Sequence, residues 1–140
     1  LAHNVVNQSR APDVAHVVDV GNPAALTALF AEAETRGGLD IVFNNAGRVI
    51  GKELFPETSL ERLESIVAVN ITAVILGTQL AIAMMQKKGG GVVVNTGSMA
   101  AFHTRHPDYL YTMSKAALEA ATTMLAQALA PLPPPLQLVR

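Results

Sequence analysis

Apolar residues recur along this chain with two periods that take turns. Short β-branched runs at Ala15–Val20 (AHVVDV), Asp40–Asn45 (DIVFNN) and Val92–Thr96 (VVVNT) read as strands. Between them the apolar positions fall three and four apart, as a helix requires. Asn22-Pro23 supplies an N-cap followed by proline in the first turn. Ala25, Leu26, Leu29, Phe30 and Ala33 then keep helical spacing until Gly37-Gly38. Thr58-x-x-Glu61 reads as a capping box opening a long helix over 59–88, and Gly89-Gly90-Gly91 breaks it. A loop is expected over 97–109, a last helix over 111–129, and one further strand at Leu136–Val139. Residues 1–13 show no clear period, and PLPPP at 131–135 can neither continue a helix nor donate to a sheet. Strand alternating with helix predicts an α/β fold with a parallel sheet. Three strands make a thin sheet, so the chain reads as an excerpt of a larger one.

Composition narrows this picture. A chain of 140 residues holds one small domain, and half its residues are hydrophobic with 15% charged, which excludes disorder over its whole length. Net charge is −1 with no basic block, so nothing points to nucleic acid. The absence of cysteine excludes disulfides and cysteine metal sites and fits a cytoplasmic protein. The first residues carry no charged-then-apolar signal pattern. Residues 66–85 are uncharged over the length of a bilayer span. Asn70, Thr72, Thr78 and Gln79 interrupt that run, and a helix buried against its own sheet and a partner subunit explains it better than a membrane.

The candidate chemistry lies at strand ends, where open α/β sheets bind ligands. Tyr111 and Lys115 stand four residues apart on one helix face. A cation set one turn from a phenol favours the phenolate and would make it a usable acid/base. The spacing alone fits an ordinary amphipathic pair equally well. Its context is Ser98, thirteen residues before Tyr111 at the end of an apolar strand, Asn44-Asn45-Ala46-Gly47 at the end of another, and Asn70 inside the apolar helix.

This combination resembles the short-chain dehydrogenase/reductase family, in its shorter single-domain branch, over roughly residues 14–130. The resemblance implies a partial doubly wound, Rossmann-like parallel sheet truncated at both ends. Residues 1–130 would form an incomplete dinucleotide-binding and catalytic domain, and 131–140 an atypical proline-rich tail. It implies NAD or NADP as cofactor, a small-molecule alcohol or ketone as substrate, and no metal. Tyr111 would exchange a proton with the substrate oxygen, which Ser98 would orient. Lys115 would hold the nicotinamide ribose and act on Tyr111, and Asn70 would anchor a water linking Lys115 to solvent. Asp19 and Val20 match the pair that contacts adenine, and Asn45, Ala46 and Gly47 would line the cofactor. Asn44 would instead tie neighbouring strands together. The helices at 59–88 and 111–129 would pair subunits into a homo-oligomer.

Plainer readings stand beside these. Ser98 fits a capping serine, Asn70 a side chain that satisfies a buried backbone group, and Asp19 a solvated turn residue. His103 and His106 fit loop residues rather than metal ligands, and Met84 and Met85 fit core or subunit-contact positions. The family's TGxxxGxG turn, which holds the pyrophosphate, has no counterpart in these residues; Gly47-Arg48-Val49-Ile50-Gly51 follows NNAG and is not that loop. The strand between the 15–20 and 40–45 strands would be missing with it, leaving a gap in the sheet. The 140 residues alone are therefore expected to bind nicotinamide cofactor poorly. The second functional reading is a non-catalytic fragment that associates through its long helices.

Overall fold

In the computed structural model, which describes residues 3–7, 14–49, 51, 55–103, 107–131 and 133–139, the β-branched runs form strands and the helical-period stretches form helices. Strands β1 (His3–Asn7) and β2 (Val14–Val18) precede helix α1 (Pro23–Thr35) and strand β3 (Ile41–Asn44). Helices α2 (Leu60–Val67) and α3 (Ala73–Lys88) are joined by a π-helical turn at Ala68–Thr72. Strand β4 (Gly91–Asn95), a 3-10 turn at Met99–Phe102, helix α4 (Tyr109–Leu129) and strand β5 (Leu136–Val139) follow.

Local chemistry sets the helix ends. Asn22 Oδ1 accepts from the amides of Ala24 and Ala25, at 3.0 and 3.2 Å, and starts α1. The cap of α2 is Ser59, whose Oγ accepts from the Arg62 amide at 3.3 Å. The capping box expected at Thr58 is thus displaced by one residue, because the Thr58 hydroxyl is paired with the Tyr109 hydroxyl instead. Gly89 ends α3 with φ +105°, a conformation that glycine adopts without a Cβ penalty. Helix α4 begins two residues before the expected Tyr111, because Asp108 caps it. The loop expected at 97–109 contains the 3-10 turn.

Strands β3, β4 and β5 form a parallel sheet in that order, with Val42 opposite Val93 and Val93 opposite Leu138. Two points depart from the sequence reading here. Residues 1–13 show no clear period in the sequence, yet β1 lies among them. The 15–20 run was expected as a parallel strand, yet β2 pairs antiparallel with β1, with Val5 opposite His16. A neighbour close in sequence satisfies the ladder groups of β2 at small loop-closure cost. Among the described residues β2 and β3 share no ladder, which is the gap the sequence predicts.

Helices α1 and α3 pack together, α3 crosses all three strands of the parallel sheet, and α4 lies on β5. Val42, Val93 and Leu136 point to these helices and form one core with Leu26, Phe30, Ala81, Met84 and Met85. On the opposite sheet face Ile41, Phe43 and Val139 are 67, 61 and 46% exposed. Parallel sheets ordinarily bury both faces, so this fold covers one face of a sheet built for two. The continuous stretch Leu60–Lys88 is long and apolar enough to cross a membrane. Its Ile66, Val69, Val74, Ala81 and Met85 are buried within the protein.

Candidate active site

Lys115 lies at the centre of the residues that the sequence singles out. It is 3% exposed, and its Nζ donates to the Thr96 carbonyl at 2.6 Å, at the C-terminal end of β4. Burial lowers its pKa from the ordinary lysine value of 10.5, because desolvation disfavours the charged form. Nζ stands 5.8 Å from the centroid of the Tyr111 ring, as the four-residue spacing requires. Gly47 faces the same ammonium. A Cβ built there would lie 3.9 Å from Lys115 Nζ and 3.8 Å from Asn70 Oδ1. The end of β3, the π turn and α4 therefore converge on one cation.

Asn70 holds this convergence together. It is fully buried at the π turn, where a helix takes in an extra residue. Its Oδ1 accepts from the Arg48 amide at 2.7 Å, and its Nδ2 donates to the Arg48 carbonyl at 2.9 Å. The second Nδ2 hydrogen goes to Ser114 Oγ, also at 2.9 Å, and Ser114 in turn donates to the Tyr111 carbonyl at 2.8 Å. The side chain thus satisfies a backbone and ties it to the helix carrying Tyr111 and Lys115. The Arg48 side chain hydrogen-bonds Ser65 on α2.

Beneath the site runs a buried polar chain. Asn44 Nδ2 donates to Asn95 Oδ1 at 2.9 Å and to Thr78 Oγ1 at 3.2 Å. Thr78 donates to Asn95 Oδ1 at 3.3 Å, and Asn95 Nδ2 donates to Thr122 Oγ1 at 3.1 Å. Asn44 therefore links β3 to β4 as the resemblance implies, and the chain extends to α3 and α4. Gly77 makes room for it, since a Cβ there would come within 2.6 Å of Asn44 Oδ1.

The remaining predicted residues occupy distinct places. Ser98 caps the 3-10 turn, its Oγ accepting from the Ala100 amide at 3.1 Å, and that turn packs against α4. The Asn45 carboxamide oxygen accepts from the Thr96 hydroxyl at 2.9 Å, and Ala46 packs on the core. Asp19 lies in the turn beyond β2, where its Oδ1 accepts from the Gly21 amide at 2.9 Å, while Val20 is buried. This turn lies next to the π turn: a Cβ at Gly21 would lie 3.3 Å from Val69. His103 is exposed at the end of the 3-10 turn. His106 lies outside the described residues.

Three contributors escape the sequence reading. Asp108 is 4% exposed and caps α4 through the Tyr111 amide at 2.8 Å. An Asp just before an apolar helical run is a recognisable start signal. Ser114 sits inside the motif itself, and its back-bond to the preceding turn is a habit of helical serine. Thr96 acts through its carbonyl, which no side-chain pattern reveals.

A family model described as short chain dehydrogenase matches residues 1–132. A Thermotoga maritima protein named as an uncharacterised oxidoreductase is 41% identical over 93 residues, covering 66% of this chain and 37% of its own. A similarly named protein of Staphylococcus aureus strain N315 is 32% identical over 130 residues, covering 91% of this chain and 55% of its own. Among solved structures, a short chain dehydrogenase from Burkholderia cenocepacia in complex with NADP superposes with a TM-score of 0.74 at 35% identity. That match covers 82% of this chain and 46% of the other. The chain spans about half the length of these relatives or less.

Proposed function

Because the chain belongs to the short-chain dehydrogenase family, we propose that it carries the proton-transfer site of a nicotinamide-dependent oxidoreductase that interconverts a secondary alcohol and a ketone. One observation carries the reading: a buried ammonium set between Gly47, Asn70 and the Tyr111 ring. The donor set suits the ribose of a nicotinamide nucleotide. Among the described residues Lys115 Nζ hydrogen-bonds only the Thr96 carbonyl, so two of its three hydrogens remain for ribose hydroxyls. Asn45, Ala46 and Gly47 would line that group, with Asp19 and Val20 at its adenine end. Bound NAD or NADP supplies hydride chemistry, which no side chain here can perform.

The side chains then divide the work. The Tyr111 hydroxyl gives its proton to the substrate oxygen during reduction and takes it back during oxidation. The Lys115 cation stabilises the phenolate left behind, and low local dielectric strengthens that effect. Ser98 Oγ accepts from the Ala100 amide, and its own hydroxyl hydrogen would donate to the substrate oxygen. Asn70 has both Nδ2 hydrogens engaged. A relay water linked to Lys115 would therefore rest on its backbone carbonyl or on the second lone pair of Oδ1.

We also propose a cytoplasmic homo-oligomer joined through helices 59–88 and 111–129. A concavity of about 380 Å³ between α3 and α4, lined by Ile75, Gln79, Ile82 and Leu125, supports that surface. It also favours the second reading, an association fragment without turnover. The discriminating experiment supplies these 140 residues with a complete phosphate-binding segment and screens ketones with NADH or NADPH, and secondary alcohols with NAD or NADP. Ketone-dependent cofactor oxidation is the expected result. Tight cofactor binding without turnover on any member of the panel would refute the catalytic reading.

A further inference from the structure

Asp108 does more than cap a helix. Its Oδ1 accepts from the Tyr111 amide at 2.8 Å, and its Oδ2 accepts from the Gly51 amide at 3.1 Å. Gly51 has φ +95°, a conformation that favours glycine. Three residues earlier, Arg48 is held on both its amide and its carbonyl by Asn70, which also bonds Ser114. Arg48 and Gly51 are thus both attached to α4, Arg48 through Asn70 and Ser114, and Gly51 through Asp108. The second attachment uses the residue that fixes the first turn of α4, where Tyr111 sits.

We propose that Asp108 is a positioning residue, a clasp whose two carboxylate oxygens set the separation between Tyr111 and Gly51. The proposal rests on the reading of Tyr111 as proton donor and adds a residue to it. A carboxylate suits this role because it accepts at both oxygens, whereas a carboxamide accepts at one. Asp108→Asn keeps an oxygen for the Tyr111 amide and turns an N–H₂ group toward the Gly51 amide. It therefore separates the clasp from the cap, which Asp108→Ala removes together.

The test follows amide hydrogen exchange by NMR in the ¹⁵N-labelled 140-residue chain. In Asp108→Asn the Gly51 amide should exchange about tenfold faster or more, while the Tyr111 amide stays within about threefold of wild type. In Asp108→Ala both should accelerate. Unchanged Gly51 exchange in Asp108→Asn overturns the clasp, and so does equal acceleration at both amides. In the turnover-competent polypeptide, Asp108→Asn should lower kcat about tenfold, and an unchanged kcat overturns the positioning role. The amide readings need neither cofactor nor turnover. An inactive protein whose Gly51 and Tyr111 amides behave as described would refute the proposed reaction and leave the clasp standing.

Discussion

Removing the Asn70 carboxamide should loosen the site and the fold together. The side chain makes three hydrogen bonds, to the Arg48 amide, the Arg48 carbonyl and Ser114 Oγ. Asn70→Ala abolishes all three. Each such bond contributes about 1 kcal/mol net, and an orphaned buried group costs about 1–3 kcal/mol. Arg48 is partly exposed, so water can reach its freed backbone groups, which keeps the expected loss near the lower bound, about 3 kcal/mol. At an unfolding entropy of about 2.1 cal/mol/K per residue, that lowers Tm by about 10 °C for a chain of this length. Asn70→Asp is the sharper probe. Near neutral pH the introduced carboxylate turns lone pairs toward the Arg48 carbonyl, where a donor stood. Burial and that carbonyl raise its folded pKa, so its stability is greater in acid and is lost as pH rises through the folded value. Urea unfolding followed by circular dichroism should show a constant deficit for Asn70→Ala between about pH 4.5 and about pH 7. Asn70→Asp should be worse at the higher pH. A deficit under about 1 kcal/mol for Asn70→Ala, or a pH-independent one for Asn70→Asp, would refute the bridging role.

Two further outcomes follow from the same packing. Gly77→Ala places a Cβ 2.6 Å from Asn44 Oδ1 and should displace Asn44 from its bonds to Thr78 and Asn95. The expected cost is about 1–3 kcal/mol by urea unfolding, and a neutral substitution would mean that the chain of bonds is slack. Lys115 has a pKa lowered from 10.5 by desolvation, so in alkaline solution the unfolded chain binds its proton more readily than the folded one. Wild-type stability should therefore gain an increment as pH rises from the lowered value to 10.5. Lys115→Met should remove that increment, and identical pH slopes for the two proteins would contradict the burial of a charged amine.

The hydrophobic pattern disclosed most of the architecture because its periods are local. β3, β4, α1 and β5 lie within a few residues of where the sequence places them, and α2, the π turn and α3 together fill the helix expected over 59–88. The errors fall where a distant partner decides. Thr58 yields the cap of α2 to Ser59 because its hydroxyl meets Tyr109 on another helix. The long helix divides at a π turn that seats Asn70 against the Arg48 backbone, a contact that no periodicity records. The pairing of β2 with β1 involves a segment without a readable period. At the site, spacing brought Tyr111 to Lys115, and the resemblance added Ser98, Asn70 and Gly47. Thr96 stayed hidden because it acts through its carbonyl, and the reach of Asp108 to Gly51 because its partner is a backbone amide. Asn70 fits the plain reading of a side chain that satisfies a backbone, and Asn44 that of one tying β3 to β4.

The proposed reaction depends most directly on the Tyr111 hydroxyl. In the polypeptide completed with a phosphate-binding segment, Tyr111→Phe removes that hydroxyl and leaves the Asp108 cap and Lys115 in place. Steady-state turnover and cofactor affinity should be measured on the same preparation. The rate should fall by about 100-fold or more, the scale of general acid–base catalysis, with cofactor Kd within about twofold of wild type. A wild-type rate in Tyr111→Phe would contradict the proposed reaction.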